Sequence, residues 1–514
     1  MPAPYGRGNL KVIHMKDLGT GLCTNVNPFE VPLGGCTECS NLVWVDGYLR
    51  ARPGLSEAYN TFSALRVHHI KRFLGSDLTN RLMRLDYSAG NVYLNAWNGA
   101  WSAIGGALPG GSLTYPPTSD GWLGYYWFTT GDGDVYRYDP AGPSLVTVRS
   151  LQVDYPTKAI PDAPRILVAG DSRLFVANCL DSNDGTNSGT RIPGRVAWSD
   201  FRIGYTWLGG TNGGSSRYID FENEEVTGLH YSGSALMVFQ PSNVWIGFSA
   251  GPPMIFDFRQ RVPGVGCVSH QTIRRDRDGW VYWLGDDNVY RGGIDRSPEP
   301  IGDRIRNRIR QVCNLSLLSS SRAVLDRANR LYTLLVPDAV ANKVCRTFTL
   351  NLANGSWWEG VINIPAIDIT DSTEFRTDNW TQSLLLAGNT GKIYSMSLSN
   401  VTDDGTAITT EWKSGVLSTP DITQGETEQS GIQMLRVKAQ SGQVTLGTYG
   451  GDNLDRMGTL NNFGTQLLDG TATIYTTERP KMAENHQIYL HGEASTMPKI
   501  TQIAAGAILG SATR

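Results

Sequence analysis

At 514 residues the chain is long enough for more than one core, and its formal net charge of −3 carries no global excess of cations. That excludes the body-wide basic footprint of a dedicated nucleic-acid binder, though not a surface that DNA merely passes. Charged residues are only 18% of the chain, while 58 Gly accompany 14 Trp, 21 Tyr and 14 Phe. Such a composition suits short strands of aromatic and β-branched residues, joined by turns in which glycine reaches positive φ without steric cost.

The N-terminal MPAPYGRGNLKV lacks the apolar run of a secretory signal. The longest apolar stretch, residues 503–509, is far short of the roughly 20 residues a membrane helix needs. The expectation is a protein made in a cytoplasm and without membrane anchoring. Cysteines stand at positions 23, 36, 39, 179, 267, 313 and 345. Cys36 and Cys39 have knuckle spacing, but no second pair supplies the other ligands that zinc requires. Reduced, buried thiols are expected, and no cofactor.

Residues 1–61 read as a non-repeating arm with a hairpin. The stretch 25–32, NVNPFEVP, is expected to be extended, because Pro28 and Pro32 restrict the residues before them. Asn41–Val45 and Tyr48–Ala51 flank Asp46-Gly47, a strong short-range hairpin signal.

From about residue 62 a marker recurs: an apolar strand, turn residues, then a polar residue, an aliphatic and an aromatic. Seven copies end at Tyr93, Tyr136, Phe175, Trp245, Tyr290, Tyr332 and Tyr394, at intervals of 43, 39, 70, 45, 42 and 62 residues. Four intervals lie near the ~40–45-residue period of a four-stranded propeller blade. The two long gaps are read as insertions at 181–189, 209–216 and 365–379, the last an excursion from a blade edge. Sheets of this size bury their faces only by stacking around an axis, which also removes long open edges. The predicted fold is all-β: a β-propeller of about six to eight blades over 62–420, with an extended N-terminal arm.

Beyond residue 417 the marker stops. The polar 423–430 reads as a linker, and 421–514 as a small β-sandwich-like module with strands at 433–439, 444–449, 472–477, 487–491 and 500–506. One helix is expected at 303–313, with Asp303 as its N-cap and Ile301, Ile305, Ile309 and Val312 as its apolar stripe. Arg304, Arg306, Asn307, Arg308 and Arg310 are left as the candidate partner-contact residues. A solvated helix face, with arginine stems covering apolar area, is the competing reading.

No catalytic constellation emerges. The acidic turns at 132–134, 181–184 and 286–287 do not match the EF-hand loop, and Asp and Asn favour turns in any case. Residues 199–207, SDFRIGYTW, share only the Gly-x-Thr-Trp end of the sialidase Asp-box, and Arg202 stands where that motif has Asp. A propeller glycosidase or glycan-binding receptor protein is the alternative function; it would need an arginine triad and an activated tyrosine brought together.

Several segments resemble a family of phage virion proteins, the tail nozzle and packaged-DNA stabilisation propellers of short-tailed phages. They are the arm followed by Arg52-Pro53-Gly54, the strand 196–200 (VAWSD), the run from Gly264 through Val289-Tyr290-Arg291 to Ile305, and 385–394 (LLAGNTGKIY) with Asp403-Asp404-Gly405-Thr406-Ala407-Ile408. The resemblance implies a structural protein of the virion tail, not an enzyme. It implies a homo-oligomeric ring, commonly a hexamer, that docks adaptor or fibre proteins. Genome DNA would be retained and then ejected through it without sequence-specific binding. A near-neutral body would not grip a sliding polyanion as a basic lumen would.

Overall fold

The computed structural model describes residues 11–59, 63–142, 145–147, 161–181, 189–207, 213–218, 224–251, 255–376, 382–418, 430–451, 459–475, 483–495, 497 and 499–509. It is a β-propeller. Six four-stranded antiparallel sheets, spanning 66–109, 119–147, 166–218, 228–263, 274–300 and 322–361, form blades 1 to 6. Blade 7 takes three strands from 369–397 and its fourth from Gly54–Ala58, which runs antiparallel to Ile393–Ser397. The innermost strands of neighbouring blades abut, and that of blade 7, Ile369–Arg376, lies against that of blade 1, Arg66–Leu74. The ring is thus closed by a strand contributed from near the start of the chain.

Each blade holds one sequence marker, but not always on the same strand. Tyr93, Tyr136, Trp245, Tyr290 and Tyr394 lie on third strands, whereas Phe175 and Tyr332 lie on second strands. That displacement shortens the interval before Phe175 and lengthens those after Phe175 and Tyr332. The expected excursion at 365–379 is corrected: it contains Ile369–Arg376, the innermost strand of blade 7. Its alternation is masked because Thr370, Asp371 and Ser372 are buried polar residues, of which Asp371 and Ser372 bond the backbones of neighbouring blades. Residues 182–188 and 209–212, within the other two expected insertions, lie outside the described residues, as does most of the expected linker.

The domain boundaries also change. The first 61 residues are not a separate arm. Lys11–Met15, Gly21–Leu22, Gly35–Ser40, Leu42–Val45 and Tyr48–Ala51 join Thr409–Ser414 and the C-terminal strands in one eleven-stranded sheet. One end of the sheet is Leu42–Val45 and the other is Gly21–Leu22 beside Gly35–Ser40; Asn41 alone separates Gly35–Ser40 from Leu42–Val45 in sequence, so the sheet curls back on itself. The predicted strands at 433–439 and 444–449 are one 22-residue strand, Ser430–Gly451, bent by register shifts at 439/442 and 446/447. Residues 27–30 form a turn, with the Glu30 amide donating to the Asn27 carbonyl at 2.8 Å. Pro28 there occupies the second turn position, which its fixed φ favours, so this part of the arm is not extended. The Asp46-Gly47 hairpin has φ of 53° and 81°, the paired positive values a type I′ turn requires.

The largest apolar core runs without a break from this sheet (Leu42, Val43, Leu435, Val437, Leu490, Ile503) into blades 5 and 6 (Tyr282, Leu334, Phe348, Trp357, Trp358). All seven cysteines are free and buried. Burial holds the Cys36 and Cys267 thiols well above their ordinary range, so neither is primed as a thiolate.

Candidate functional site: the propeller axis and the helix beside it

The helix is shorter than expected, Arg306–Val312, and no side chain caps it. Asp303 instead accepts from Asn288 Nδ2 at 2.7 Å, because the chain is still turning at Asp303 and reaches helical geometry two residues later. Three of the five candidate contact residues work inside the chain. Arg304 donates to the Thr20 carbonyl at 2.9 Å, its own carbonyl accepts from Thr24, and Asn307 reaches the Thr24 carbonyl at 3.5 Å. Arg308 forms a two-pronged ion pair with Glu359 of blade 6, at 2.7 and 3.2 Å. Arg306 lies 3.9 Å from Asp287, and Arg310 is exposed. The helix thus pins the N-terminal segment and blade 6 together, with Arg306 half-buried beside Asp287 and Arg310 left toward solvent.

Two sequence motifs meet in space. Arg52, of Arg-Pro-Gly, is 5% exposed and pairs with the fully buried Asp403, of Asp-Asp-Gly-Thr-Ala-Ile. Arg52 also donates to Asn41 Oδ1 at 2.8 Å, to the Pro53 carbonyl at 2.8 Å and to the Val361 carbonyl at 2.6 Å, and the Asn363 amide donates to Asp403 at 2.7 Å. Every charge in this cluster is satisfied, which a buried pair requires. A Cβ on Gly54 would stand 2.5 Å from the Thr402 carbonyl oxygen, so glycine is needed where the closing strand enters blade 7.

The innermost strands surround a cavity of about 500 Å³, lined from all seven blades. Near the axis the strands crowd together, and polar side chains bond the backbone of the adjoining blade. The Leu167 amide donates to Thr118 Oγ1 at 2.8 Å, the Ala169 amide to Asp120 at 3.0 Å, and the Ile70 amide to Asp371 at 2.9 Å. Ser269 donates to the Ser321 carbonyl at 2.8 Å, Ser372 to the Ala323 carbonyl at 2.6 Å, and Arg322 to the Thr370 carbonyl at 2.6 Å. This belt satisfies groups that would otherwise be costly to bury.

Within the belt, His69 links three blades. Its Nε2 is 2.7 Å from Ser119 Oγ in blade 2, and its Nδ1 is 2.6 Å from Asp371 Oδ2 in blade 7. These are the distances of a Ser–His–Asp relay, and nothing in the sequence pattern brought the three residues together. The alignment is not that of a relay. The Nδ1–H does not point at the carboxylate well enough to bond, and that same oxygen takes the Ile70 amide. Ser119 Oγ also accepts from Tyr126 Oη at 2.9 Å. Burial pushes the Asp371 carboxyl up, but His69, the Ile70 amide and Arg322 outweigh it and hold it below its ordinary value. The trio reads as a clamp across three blades.

The cavity also gathers Arg274, Arg275, Arg327, Arg376 and Tyr231. Tyr231 stacks on Phe175, and burial, with Asp171 adding, raises its hydroxyl above the ordinary value, the opposite of an activated nucleophile. In the Asp-box-like stretch, Trp207 is fully buried and donates to the Gly204 carbonyl at 3.0 Å, so it is a packed turn. Among the described residues no group of three or more His, Cys, Asp or Glu side chains is arranged to hold a metal ion.

No family model matches the chain, and no curated protein matches it. Solved structures similar to it include the Pan2 WD40 domain of Neurospora crassa, at 11% identity and a TM-score of 0.40, covering 68% of this chain and 95% of that one. Another is the extracellular domain of a putative hybrid two-component system from B. thetaiotaomicron, at 10% identity and a TM-score of 0.42, covering 82% of this chain and 47% of that one. A third is PorZ, a surface component of the type-IX secretion system of Porphyromonas gingivalis, at 12% identity and 0.36, covering 80% and 46%.

Proposed function

We propose that this chain is a structural protein of a phage tail: a propeller that assembles with copies of itself into a sixfold ring and docks adaptor or fibre proteins, with genome DNA passing through the assembly. The observation that carries the reading is how the body is built. The curled sheet and the propeller share one apolar core, and from that rigid body extends a hairpin whose outer strand, Thr459–Tyr475, is paired on one side only among the described residues. Leu467 on that strand is 80% exposed. Long open edges invite pairing with another chain, and strand addition is a common docking mode. The cavity of about 500 Å³ is the size of a small-molecule site, so duplex DNA would run between subunits and not along one propeller axis.

Mass photometry and negative-stain imaging, alone and with candidate tail partners, test the reading. Discrete rings that are lost in Leu467→Lys support it; a monomer under every condition overturns it. The glycosidase or glycan-binding alternative draws on the arginines and tyrosine gathered at the axis. The raised Tyr231 hydroxyl weighs against it, and a glycan array with a fluorogenic glycosidase panel tests it directly.

A further inference from the structure

The axial cavity carries the opposite charge from the chain around it. Six cations line it (Lys71, Arg72, Arg274, Arg275, Arg327 and Arg376) against three carboxylates, Asp120, Asp371 and Glu374, while the whole chain is at −3. The carboxylates are already engaged. Asp120 takes the Ala169 amide, Asp371 takes the Ile70 amide with the His69 ring 2.6 Å from the same oxygen, and Glu374 is held by Arg327 and Arg376.

What remains uncompensated converges from opposite sides of the ring. Lys71 comes from blade 1 and has only a 3.8 Å approach to Asp120. Arg274 and Arg275 come from blade 5; Arg274 bonds the neutral Ile273 and Ser372 oxygens at 2.8 to 3.3 Å, and among the described residues Arg275 is in no ion pair. Between them stand two imidazoles. His230 Nε2 is buried with no hydrogen-bond partner among the described residues. His270 Nδ1 accepts from the Leu229 amide at 3.4 Å, which leaves its proton on Nε2. Burial first, then the charges of Arg274 and Lys71 (with Arg275 at His230), push His230 down to about 4 and His270 down to about 3. Both are therefore neutral at pH 7, and the cations lie within electrostatic reach of them. Gathering like charges inside low-dielectric walls costs free energy unless a counter-charge enters, and such a cavity focuses the field that attracts one.

We propose that this cavity binds a small multivalent oxyanion of the phosphate class, held between Lys71 and the Arg274–Arg275 pair, with His230 and His270 as neutral N–H donors. Arginine forks and a lysine point charge are the groups that recognise phosphate oxygens. The volume admits pyrophosphate or a nucleotide-sized ester and excludes a polymer.

The test is isothermal titration calorimetry of the full chain at pH 7.5 with inorganic phosphate, pyrophosphate and citrate, each against sodium chloride of matched ionic strength. Melting curves of the same samples follow stabilisation by the bound anion. The expected result is one saturable site for pyrophosphate, weakened at least tenfold in Lys71→Met and in Arg275→Gln and unchanged in Arg259→Gln, a distant surface control. Arg275 is exposed, so its variant keeps the test sound even where Lys71→Met folds poorly. Three results would overturn the proposal: no saturable binding of any probe, equal affinity in both cavity variants, or citrate binding while both phosphates do not.

Discussion

Acid should weaken this fold between pH 7.5 and 5, because three histidines are buried neutral. Burial first, then the Arg66 and Arg322 charges and His69, hold His68 down to about 3. His230 stands at about 4 and His270 at about 3. A base whose folded value lies below its unfolded value contributes full stability above the unfolded value, near 6.5, and loses it as the pH falls toward the folded one. At pH 5 the unfolded imidazole is almost fully protonated and the folded one is not. Each histidine then costs about 2 kcal/mol relative to pH 7.5, or about 6 kcal/mol together at most. Asp86 works the other way: burial raises its carboxyl to about 6 despite Arg84 and Ser63, so it takes up a proton on folding at pH 5 and returns about 1 kcal/mol. The net loss is a large fraction of the 5–15 kcal/mol that holds a typical domain. Urea unfolding followed by tryptophan fluorescence at pH 7.5 and 5.0 measures it. His68 is 1% exposed, its Nδ1 has no partner and its ring lies edge-on to Tyr87, so His68→Leu leaves no orphaned group behind. That variant should lose about 2 kcal/mol less than the parent on acidification. An unchanged pH dependence in His68→Leu would refute the reasoning.

Arg52→Met leaves Asp403 charged and buried without its partner, and breaking such a pair costs about 3–5 kcal/mol; denaturant midpoints at constant slope report it, and Asp403→Asn alone should be comparably harmful. Gly34 has φ of +88°, and a Cβ there would stand 1.7 Å from the Asp17 carbonyl oxygen. Gly34→Ala should therefore destabilise by more than the ~1 kcal/mol typical of single changes, read as a lowered melting temperature. Removal of residues 1–58 takes away the outer strand of blade 7 and five strands of the curled sheet. The expected product is an aggregation-prone chain that fails to give a cooperative melt, whereas a soluble truncation with the parent's melting temperature would show the ring needs no closing strand.

The propeller was legible because each blade carries an apolar-turn-aromatic hairpin, and that local pattern survives in sequence whichever strand bears it. Blade boundaries were less legible for the same reason: Phe175 and Tyr332 sit one strand early. The innermost strand of blade 7 escaped altogether. Ile369–Arg376 reads ITDSTEFR, a polar string by period, because side chains at the axis bond neighbouring backbones and do not fill an apolar layer. The arginines at 304–310 were visible as a charged run, but their partners, Thr20, Thr24 and Glu359, are distant in sequence. The same is true of Arg52 and Asp403, whose motifs were each seen and whose meeting was not. Lys71, His230 and Arg274 had no local signal at all, since only ring closure places blades 1, 4 and 5 across one cavity.

Closure is also what ties the fold to the proposed role. A ring of abutting inner strands held mainly by side-chain-to-backbone bonds would open at its weakest junction, the one between the last blade and the first. Here three devices guard that junction: Gly54–Ala58 completes blade 7, Asp371 bonds the Ile70 amide of blade 1, and Arg66 pairs with Asp368 at 2.9 Å. The segment just before the closing strand runs into the same sheet as the last strand of the chain, with Leu49 opposite Ile500. Strands from the first and last described segments are therefore anchored in one sheet, and that sheet shares its core with blades 5 and 6. Pulling the ring apart would require unpairing strands and exposing that core together, so the body resists local opening at the one place a propeller is weakest. A subunit built this way suits a permanent assembly under load better than a module that must open to release a product.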